Sequence, residues 1–265
     1  MKKFLLIALC ALMCLGALTG CGGAKDWAYI EEKGEMVIGI TLFEPMNYYD
    51  ENGKLIGFET EFAEAVCAKL GVSPKFQVID WEQKENELKS RTIDAIWNGL
   101  TVTEERKENM AFSTAYVSNK QVVIAKKANA EKYATIEGMA GASITAENGS
   151  AGETAIKANA VLSQNSYVAS AGQKDVLLEV KAGTSELGVI DLVMALASIK
   201  EGTDYADLTI IEGVELIAEE YAIGLRLEDT EFMKKLNAAI DELVADGTLG
   251  ALAEKYGLAD VYAFK

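Results

Sequence analysis

From Met36 onward, short apolar runs rich in β-branched residues alternate with longer segments in which apolar residues recur every three or four positions. The first pattern is typical of buried strands and the second of amphipathic helices. Because strands that alternate with helices usually form parallel sheets covered by helices, we expect an α/β fold with mostly parallel sheets. The predicted strands are residues 36–40, 76–79, 93–97, 121–125, 142–145 and 187–190.

Helices are predicted from apolar spacing and from the residues at their ends. Apolar side chains in residues 58–70 lie three or four positions apart, and Gly71 is a typical C-cap. Near the C-terminus, Thr230 is the expected N-cap of a helix that stops at Gly247, and a last helix begins at Thr248. No linker rich in proline or serine divides the chain, so short ordered strands would have to join two domains.

The N-terminus has the pattern of an export signal. Lys2 and Lys3 precede an apolar run over residues 4–18. About 15 apolar residues are too few to span the roughly 30 Å of hydrocarbon in a bilayer, so this run predicts a cleaved signal peptide at 1–20 instead of a membrane helix.

The end of that run resembles a lipobox, the motif whose cysteine becomes the lipidated first residue of a bacterial lipoprotein. It reads Leu18-Thr19-Gly20-Cys21. We therefore predict that Cys21 is lipidated and that residues 21–24 are a spacer, so that the membrane is a partner through the lipid anchor. Several acyl chains make such an anchor stable. The alternative is an ordinary signal in which the cysteine falls by chance.

The composition excludes several classes of partner and chemistry. Removing residues 1–20 takes away two lysines and no acid, so the net charge changes from −16 to −18 in the mature chain. Binding a phosphate backbone needs a basic surface, so nucleic acid is not an expected partner. The chain has no histidine, which disfavours catalytic triads and zinc hydrolysis, and we expect no metal and no cofactor. Of the four cysteines, only Cys67 follows the lipid site, so no intrachain disulfide is expected.

One segment has the pattern of a small anion site. Residues 93–106 read as a strand, a glycine-containing turn and a helix start with Thr103 as N-cap. Exposed backbone N–H groups at such a junction, the Thr101 hydroxyl and the Arg106 guanidinium together suit a carboxylate. The alternative is that Arg106 only pairs with glutamates on an exposed helix, and composition does not decide between the two.

A set of short motifs extends along the chain in a defined order. They are Gly57-Phe58-Glu59, Lys69-Leu70-Gly71, Asp80-Trp81, Leu88, Ile93-Asp94-Ala95-Ile96, Asn98-Gly99-Leu100-Thr101-Val102-Thr103, Arg106, Ala111-Phe112-Ser113, Tyr116, Asn148-Gly149-Ser150-Ala151-Gly152-Glu153, Gly188-Val189-Ile190-Asp191, Tyr221-Ala222-Ile223-Gly224-Leu225-Arg226 and Asp246-Gly247-Thr248. Each is weak alone, but the ordered set strongly resembles the polar amino-acid substrate-binding proteins of ABC importers. The resemblance covers nearly the whole mature chain.

This resemblance implies two α/β lobes, joined by two hinge strands, that close on one free amino acid. It implies that Arg106 binds the α-carboxylate of the ligand and that Thr101 is a second donor to the same group. Gly99 would offer its carbonyl to the ammonium, and Asp191 on the other lobe would be the ammonium's counter-ion. Backbone N–H groups of the turn at residues 149–151 would reach the carboxylate from the second lobe.

The resemblance also assigns the apolar walls of the site. Phe43 and Trp81 align with the two aromatic residues that enclose the ligand side chain in the family, although aromatic residues near strands are more commonly core. Many relatives have threonine where Ala151 stands, which leaves only a backbone donor there. The predicted ligand-binding residues are Phe43, Trp81, Asn98, Gly99, Thr101, Arg106, Ser150, Ala151 and Asp191.

Some acidic residues have two interpretations. Asp191 precedes a predicted helix over residues 192–199, so it can be an ordinary N-cap, and this role is compatible with the ligand contact that the resemblance favours. Glu44, Glu85 and Glu153 would indicate a cationic ligand side chain if they bordered the cleft, and solvated surface acids if they did not. The sequence does not identify the amino acid.

The predicted function is that of a monomeric, lipid-anchored substrate-binding protein on the outer face of the cytoplasmic membrane, at the cell surface or in the periplasm. Its partners would be a free amino acid and an ABC permease. The first lobe would comprise residues 25–117 and 218–265, and the second residues 118–217. Two alternatives are an enzyme on the same scaffold, such as a dehydratase of small organic acids, and a ligand-sensing surface domain.

Overall fold

The computed structural model describes residues 25–264. The predicted signal peptide at 1–20, the predicted spacer at 21–24 and the predicted lipidation site Cys21 lie outside these residues. Strands and helices alternate along most of the described chain, so the α/β class predicted from the sequence is confirmed. Within residues 25–264, no helix combines the length and the apolar character needed to cross a bilayer.

The strands of the described residues are short except for two. In chain order they are β1 Glu35–Ile40, β2 Tyr48–Tyr49, β3 Leu55–Ile56, β4 Ser73–Val78, β5 Ala95–Ile96, β6 Ala111–Phe112, β7 Val117–Lys126, β8 Ser143–Glu147, β9 Ser166–Ser170, β10 Leu187–Asp191, β11 Leu208–Tyr221 and β12 Gly224–Leu225. They form one sheet with the order β4-β1-β5-β12-β6, a second with the order β11-β7-β10-β8-β9, and the small hairpin β2-β3.

The helices of the described residues flank these sheets. They are α1 Trp27–Lys33, α2 Phe58–Leu70, α3 Lys84–Lys89, α4 Glu104–Lys107, α5 Ala151–Ala158, α6 Gln173–Ala182, α7 Leu192–Ser198, α8 Thr230–Ala245 and α9 Thr248–Lys255. A 3₁₀ turn, Trp81–Gln83, precedes α3.

The long strands β7 and β11 connect the two sheets. They pair antiparallel from Leu208 and Lys126, in the second sheet, to Tyr221 and Val117. At that end Tyr221 also pairs with Thr101, next to the first sheet. Each sheet with its helices is therefore a lobe, and this strand pair is the connection between the lobes. The exact lobe boundaries stay a prediction.

Both sheets are mixed, which differs from the expected mostly parallel arrangement. In the first sheet β1 is parallel to β4 and β5, whereas β12 is antiparallel to β5 and β6. In the second, β8 is parallel to β9 and β10, whereas β7 is antiparallel to β10 and β11. The antiparallel pairs involve β7, which runs from the first lobe into the second, and β12, which directly follows the return strand β11. They arise because β7 and β11 pass between the lobes in opposite directions.

The apolar pattern found six of these strands and missed others. The strand predicted at 93–97 shrinks to β5, and the one at 121–125 is the inner part of β7. β9 was missed because it is an edge strand whose residues are mostly exposed. β11 was missed because two register shifts interrupt its pairing with β7 and hence its alternation.

Helix α2 begins and ends where predicted, with Gly71 at φ 74° as its C-cap. Helix α8 differs at its start, because Thr230 is its first residue and makes no side-chain cap. The carboxylate of Asp26 accepts instead, at 2.7 Å from the N–H of both Glu231 and Phe232. A cap supplied from a distant part of the chain leaves no local sequence signal.

A buried ion-pair network links the C-terminal segment to the first lobe. Arg226 lies 2.7 Å from Asp229 and 3.7 Å from Asp94. It also donates to the carbonyl oxygens of Leu88 and Ile93, at 3.2 and 2.9 Å. This network fixes the strand–turn segment that follows residue 93 and so supports one side of the site.

Candidate functional site

A small cavity lies between the two lobes and is lined by residues of both. All nine residues that the sequence predicts as ligand-binding line it, together with Glu147 and Gln173. Trp81, Thr101 and Arg106 come from the first lobe, whereas Ala151 and Asp191 come from the second. The structure thus brings the predicted residues together around one small cavity.

Arg106 faces this cavity from the first lobe and is 7% exposed. Thr103 caps α4 as predicted, with its hydroxyl accepting from the Arg106 N–H at 3.1 Å. The Arg106 side chain donates through Nη1 to the Thr101 carbonyl at 2.8 Å and through Nη2 to the Gly149 carbonyl at 3.3 Å. A guanidinium has five N–H donors, so Nε and one N–H of each terminal nitrogen have no acceptor among the described residues. Those donors suit a carboxylate bound in two-point fashion.

Gly99 and Phe43 are fitted closely together in the cavity wall. Gly99 has φ 52°, a left-handed conformation that glycine adopts without strain, and a Cβ placed on it would lie 2.4 Å from the ring of Phe43. The Gly99 N–H donates to both carboxyl oxygens of Glu59, at 2.8 and 3.1 Å. Its carbonyl oxygen accepts no backbone hydrogen bond from the described residues and is available to a ligand.

Glu59 supports that loop from a fully buried position. Its carboxyl also accepts a hydrogen bond from the Tyr116 hydroxyl. Burial raises the pKa of Glu59 to about 7, against the opposing effect of the hydrogen bonds from Tyr116 and Gly99. Glu59 acts behind the site and not in it.

Trp81 forms a second aromatic wall and is 5% exposed. The Asp80 carboxylate caps the 3₁₀ turn by accepting from the Glu82 N–H at 3.0 Å. The Lys84 ammonium lies 4.9 Å from the Trp81 ring centroid and donates to the Trp81 carbonyl at 3.0 Å. These contacts fix the position of the Trp81 indole. Together with the Phe43 ring it places apolar surface next to the charged groups of the cavity.

Asp191 faces the cavity from the second lobe at the end of β10. Its carboxylate accepts hydrogen bonds from the side-chain amides of Asn119, Gln121 and Gln173. It makes no cap hydrogen bond to α7, because the Asn119 amide oxygen accepts from the Val193 N–H at 3.2 Å instead. Asp191 thus occupies the N-cap position of α7 without capping the helix through its side chain, and its carboxylate faces the cavity.

A second carboxyl lies close to Asp191 on the connecting strand β11. The same amides of Asn119 and Gln121 donate to Glu219, at 2.6 and 2.9 Å. Burial and the neighbouring Asp191 raise the pKa of Glu219 well above its usual range. The two acids share amide donors, so a cation that reaches Asp191 also relieves their mutual repulsion.

The backbone N–H groups of the turn after β8 were expected to bind the ligand's carboxylate, but most of them bond within the second lobe. The Gly149 N–H donates to the Glu153 carboxylate at 2.9 Å, and the Ser150 N–H donates to the Glu147 carbonyl at 3.2 Å. The Ser150 hydroxyl caps α5 by accepting from the Glu153 N–H at 3.1 Å. Of the expected backbone donors at 149–151, only the Ala151 N–H has no acceptor among the described residues, while Gly149 contributes its carbonyl to Arg106.

Asn98 lines the cavity but its amide is used within the first lobe. Its Nδ2 atom donates to the Thr41 carbonyl at 2.9 Å, and its Oδ1 atom accepts from the Thr41 hydroxyl at 2.6 Å. These two bonds tie the turn after β5 to the end of β1. Asn98 therefore helps to position the part of the cavity wall that it forms together with Gly99.

Sequence reasoning missed two residues of the cavity, Glu147 and Gln173. Glu147 is 3% exposed, and burial raises the pKa of its carboxyl to about 8. The carboxylates proposed as cleft residues lie elsewhere, because Glu44 and Glu85 border other surface pockets and Glu153 pairs with Lys157 at 2.8 Å. One acid among 41 acidic residues gives no signal of its own without the fold.

A family model of bacterial extracellular solute-binding proteins, family 3, matches residues 36–259. The match extends over most of the chain, including every cavity residue. The chain belongs to this family. The resemblance stated from the motifs is thereby confirmed. The two-lobed fold that it implied for this family 3 protein is confirmed as well.

The relatives of this family 3 protein include binding proteins for amino acids. The L-cystine-binding protein TcyJ of Escherichia coli (strain K12) is 29% identical over 234 residues, which cover 88% of this chain and 86% of TcyJ. The crystal structure of an ABC uptake transporter substrate binding protein from Streptococcus pneumoniae with bound histidine is 32% identical, with a TM-score of 0.81 over 89% of this chain and 98% of that chain.

A third similar structure bears on the enzyme alternative. It is the ancestral amino acid-binding protein AncCDT-1, a precursor of cyclohexadienyl dehydratase, which is 25% identical, with a TM-score of 0.77 over 86% of this chain and 97% of that chain. The similar proteins described here are binding proteins by name, and one of them is the precursor of an enzyme.

Proposed function

We propose that this protein binds one free amino acid between its lobes and delivers it to an ABC permease. The observation that carries the proposal is the pair of opposite charges across one cavity, Arg106 on the first lobe and Asp191 on the second. An α-amino acid is a zwitterion whose two charges match this pair. Pairing with an opposite charge of the ligand offsets the cost of burying each of these groups, whereas either group buried alone would be costly.

In this proposal the α-carboxylate binds the remaining N–H groups of Arg106, the Thr101 hydroxyl and the Ala151 N–H. The ammonium binds Asp191 and the Gly99 carbonyl. Phe43, Trp81, Asn98 and Ser150 shape the walls around the ligand. Because the ligand contacts both lobes, it favours the closed arrangement over an open one.

A thermal-shift screen over the amino acids and cystine tests this proposal. A ligand at about 100 times its Kd stabilises the folded state by about 2.7 kcal/mol, which corresponds to a rise in Tm of roughly 5 to 10 °C for a chain of this size. A rise with at least one free amino acid, absent with the amide or N-acetyl derivative of the same amino acid, supports the assignment of the α-groups. If no amino acid raises the Tm, the proposed function is wrong.

We also propose that Cys21 carries the lipid anchor and that the protein acts as a monomer on the outer face of the cytoplasmic membrane. Support comes from Leu18-Thr19-Gly20-Cys21 behind an apolar run. The test is metabolic labelling with a fatty acid in the native host. The Cys21→Ser variant should fold but carry no label, and label on that variant would contradict the anchor.

The dehydratase alternative is favoured by one observation, the buried carboxyl of Glu147 in the cavity. Elimination of water needs an acid or base beyond the ions that bind the substrate, and in a chain without histidine a carboxyl with a raised pKa suits that role. Incubation of the protein with small hydroxy acids and with its best amino-acid ligand separates the two functions. Quantitative recovery of every compound supports binding alone, whereas a dehydrated product would show catalysis.

A further inference from the structure

Glu147 is a buried acid without a partner. It is 3% exposed, it lines the cavity, and its Oε1 atom has no hydrogen-bond partner among the described residues. Buried carboxylates in proteins are normally paired or hydrogen-bonded, because leaving the charge unpaired is costly. An exception at a cavity wall points to a partner that comes from outside the chain.

Gln173 and Lys84 make the hydrogen bonds that the structure shows with groups other than Glu147. Gln173 uses its amide nitrogen on the Asp191 carboxylate and its amide oxygen on the Asp191 N–H, at 3.0 Å for the latter. Lys84 donates to the carbonyls of Trp81 and Gly149. No ion pair joins Glu147 to Lys84 or Arg106 within the described residues, so these cations act on it only at longer range.

The charges that face Glu147 do not compensate it. Asp191 from β10 and Asp175 from α6 repel its negative charge, whereas Lys84 from α3 and Arg106 from α4 attract it. Burial and the two acids outweigh the two cations, and the pKa of Glu147 is raised to about 8. A zwitterion that neutralises Arg106 and Asp191 adds no net charge, so it supplies no counter-ion that would favour the ionised form of Glu147.

We infer that Glu147 binds a positively charged group on the side chain of the ligand, so that the ligand class is the cationic amino acids. The inference rests on the proposed function, since the ligand's side chain is positioned only when its α-groups meet Arg106 and Asp191. Glu147 lies at the end of β8, four residues before Ala151, so the same strand and turn would present a contact for the side chain and one for the α-carboxylate. A guanidinium or an ammonium supplies the missing N–H donors and the missing charge together.

Calorimetry with matched ligand pairs tests this inference. In each pair the ligands have similar size and differ in side-chain charge: arginine against citrulline, and lysine against norleucine. Wild-type protein should bind the cationic member at least about tenfold more tightly in one pair. Glu147→Gln should bring that ratio to within about threefold while it still binds the neutral member, which shows that the α-group site is intact.

Glu85→Gln is the control, because it removes the same charge from a residue that does not line the cavity. It should keep the wild-type ratio. Neutral members that bind as tightly as cationic ones in both pairs would overturn the inference, as would a Glu147→Gln variant that keeps the preference. In either case binding of an amino acid would still support the proposed function. If no amino acid binds at all, it is the proposed function that fails.

Discussion

The Nζ atom of Lys84, in the first lobe, lies 2.9 Å from the carbonyl oxygen of Gly149 in the second. The same oxygen accepts from Arg106 at 3.3 Å. Backbone also approaches backbone here, because a Cβ on Gly149 would lie 3.1 Å from the Glu82 Cα atom. Burial lowers the pKa of Lys84 to about 8, with Arg106 adding to the effect. Lys84 thus bridges the lobes beside the ligand cavity without lining it.

Lys84→Met should weaken the binding of every amino acid by a similar factor. The variant keeps the aliphatic length but loses the bonds from the ammonium to the Trp81 and Gly149 carbonyls, and hydrogen bonds from a charged group contribute about 1.5 to 3 kcal/mol. We expect roughly a 10- to 100-fold loss of affinity by calorimetry. Lys89 is an exposed lysine on the same helix, so Lys89→Met is the control. A loss confined to one ligand would contradict a role in closing the lobes.

Gly99→Ala should damage both stability and ligand binding. The new Cβ meets the Phe43 ring at 2.4 Å and must adopt φ 52°, so the free energy of unfolding should fall by at least 1 to 2 kcal/mol, as is typical for such strain. The Phe43 ring would also move from its place in the cavity wall.

Gly71→Ala is the matched control for this substitution. Gly71 also has a positive φ, 74°, but its Cβ would meet nothing within 4 Å among the described residues. Chemical denaturation and calorimetry should show a smaller loss of stability and unchanged ligand affinity. Equal effects of the two substitutions would mean that contact between Gly99 and Phe43 does not shape the site.

Glu59→Gln should change how stability depends on pH. The pKa of Glu59 is raised from 4.5 to about 7 in the folded protein, so its contribution to stability is complete below pH 4.5 and is lost as the pH rises to 7. Since one pKa unit corresponds to about 1.4 kcal/mol, the loss is about 3 kcal/mol at most.

The variant has no carboxyl at this position to ionise. The difference in unfolding free energy between the variant and wild type should therefore shift in favour of the variant as the pH rises from 4.5 to 7. Urea unfolding of both proteins at pH 4.5, 6 and 7.5 measures the difference between them, in which the other titrating groups cancel. A difference that stays constant with pH would show that Glu59 does not ionise with a raised pKa.

Local pattern was enough to predict the elements whose signals are contained within a few residues. The C-cap at Gly71, the N-cap at Thr103 and the strand–turn–helix around Arg106 are of this kind. The resemblance to the family then indicated nine residues, and all nine line one cavity. For the caps and the turn the residue types themselves carry the geometry, whereas the nine cavity residues were indicated by the resemblance to the family.

The remaining features depend on contacts between distant segments. Asn119 caps α7 in place of Asp191 only because β7 runs antiparallel to β10. Asp26 caps α8 from more than 200 positions away. Glu147 becomes part of the site only because β8 ends at the cavity. That its Oε1 atom has no hydrogen-bond partner among the described residues can be recognised only from the structure. No periodicity in the sequence encodes such pairings.

Calorimetry on Arg106→Ala and Asp191→Ala, with the ligand that gives the largest rise in Tm, tests the central claim most directly. Each truncation leaves one charge of the ligand buried without its partner, which costs about 2 to 5 kcal/mol. The affinity should therefore fall by about 30-fold to a few thousandfold in both variants. Lys107→Ala, an exposed neighbour on α4, should bind as wild type does. Near-normal affinity in the Arg106 or Asp191 variant, with the fold intact, would contradict the account of how this protein binds an amino acid.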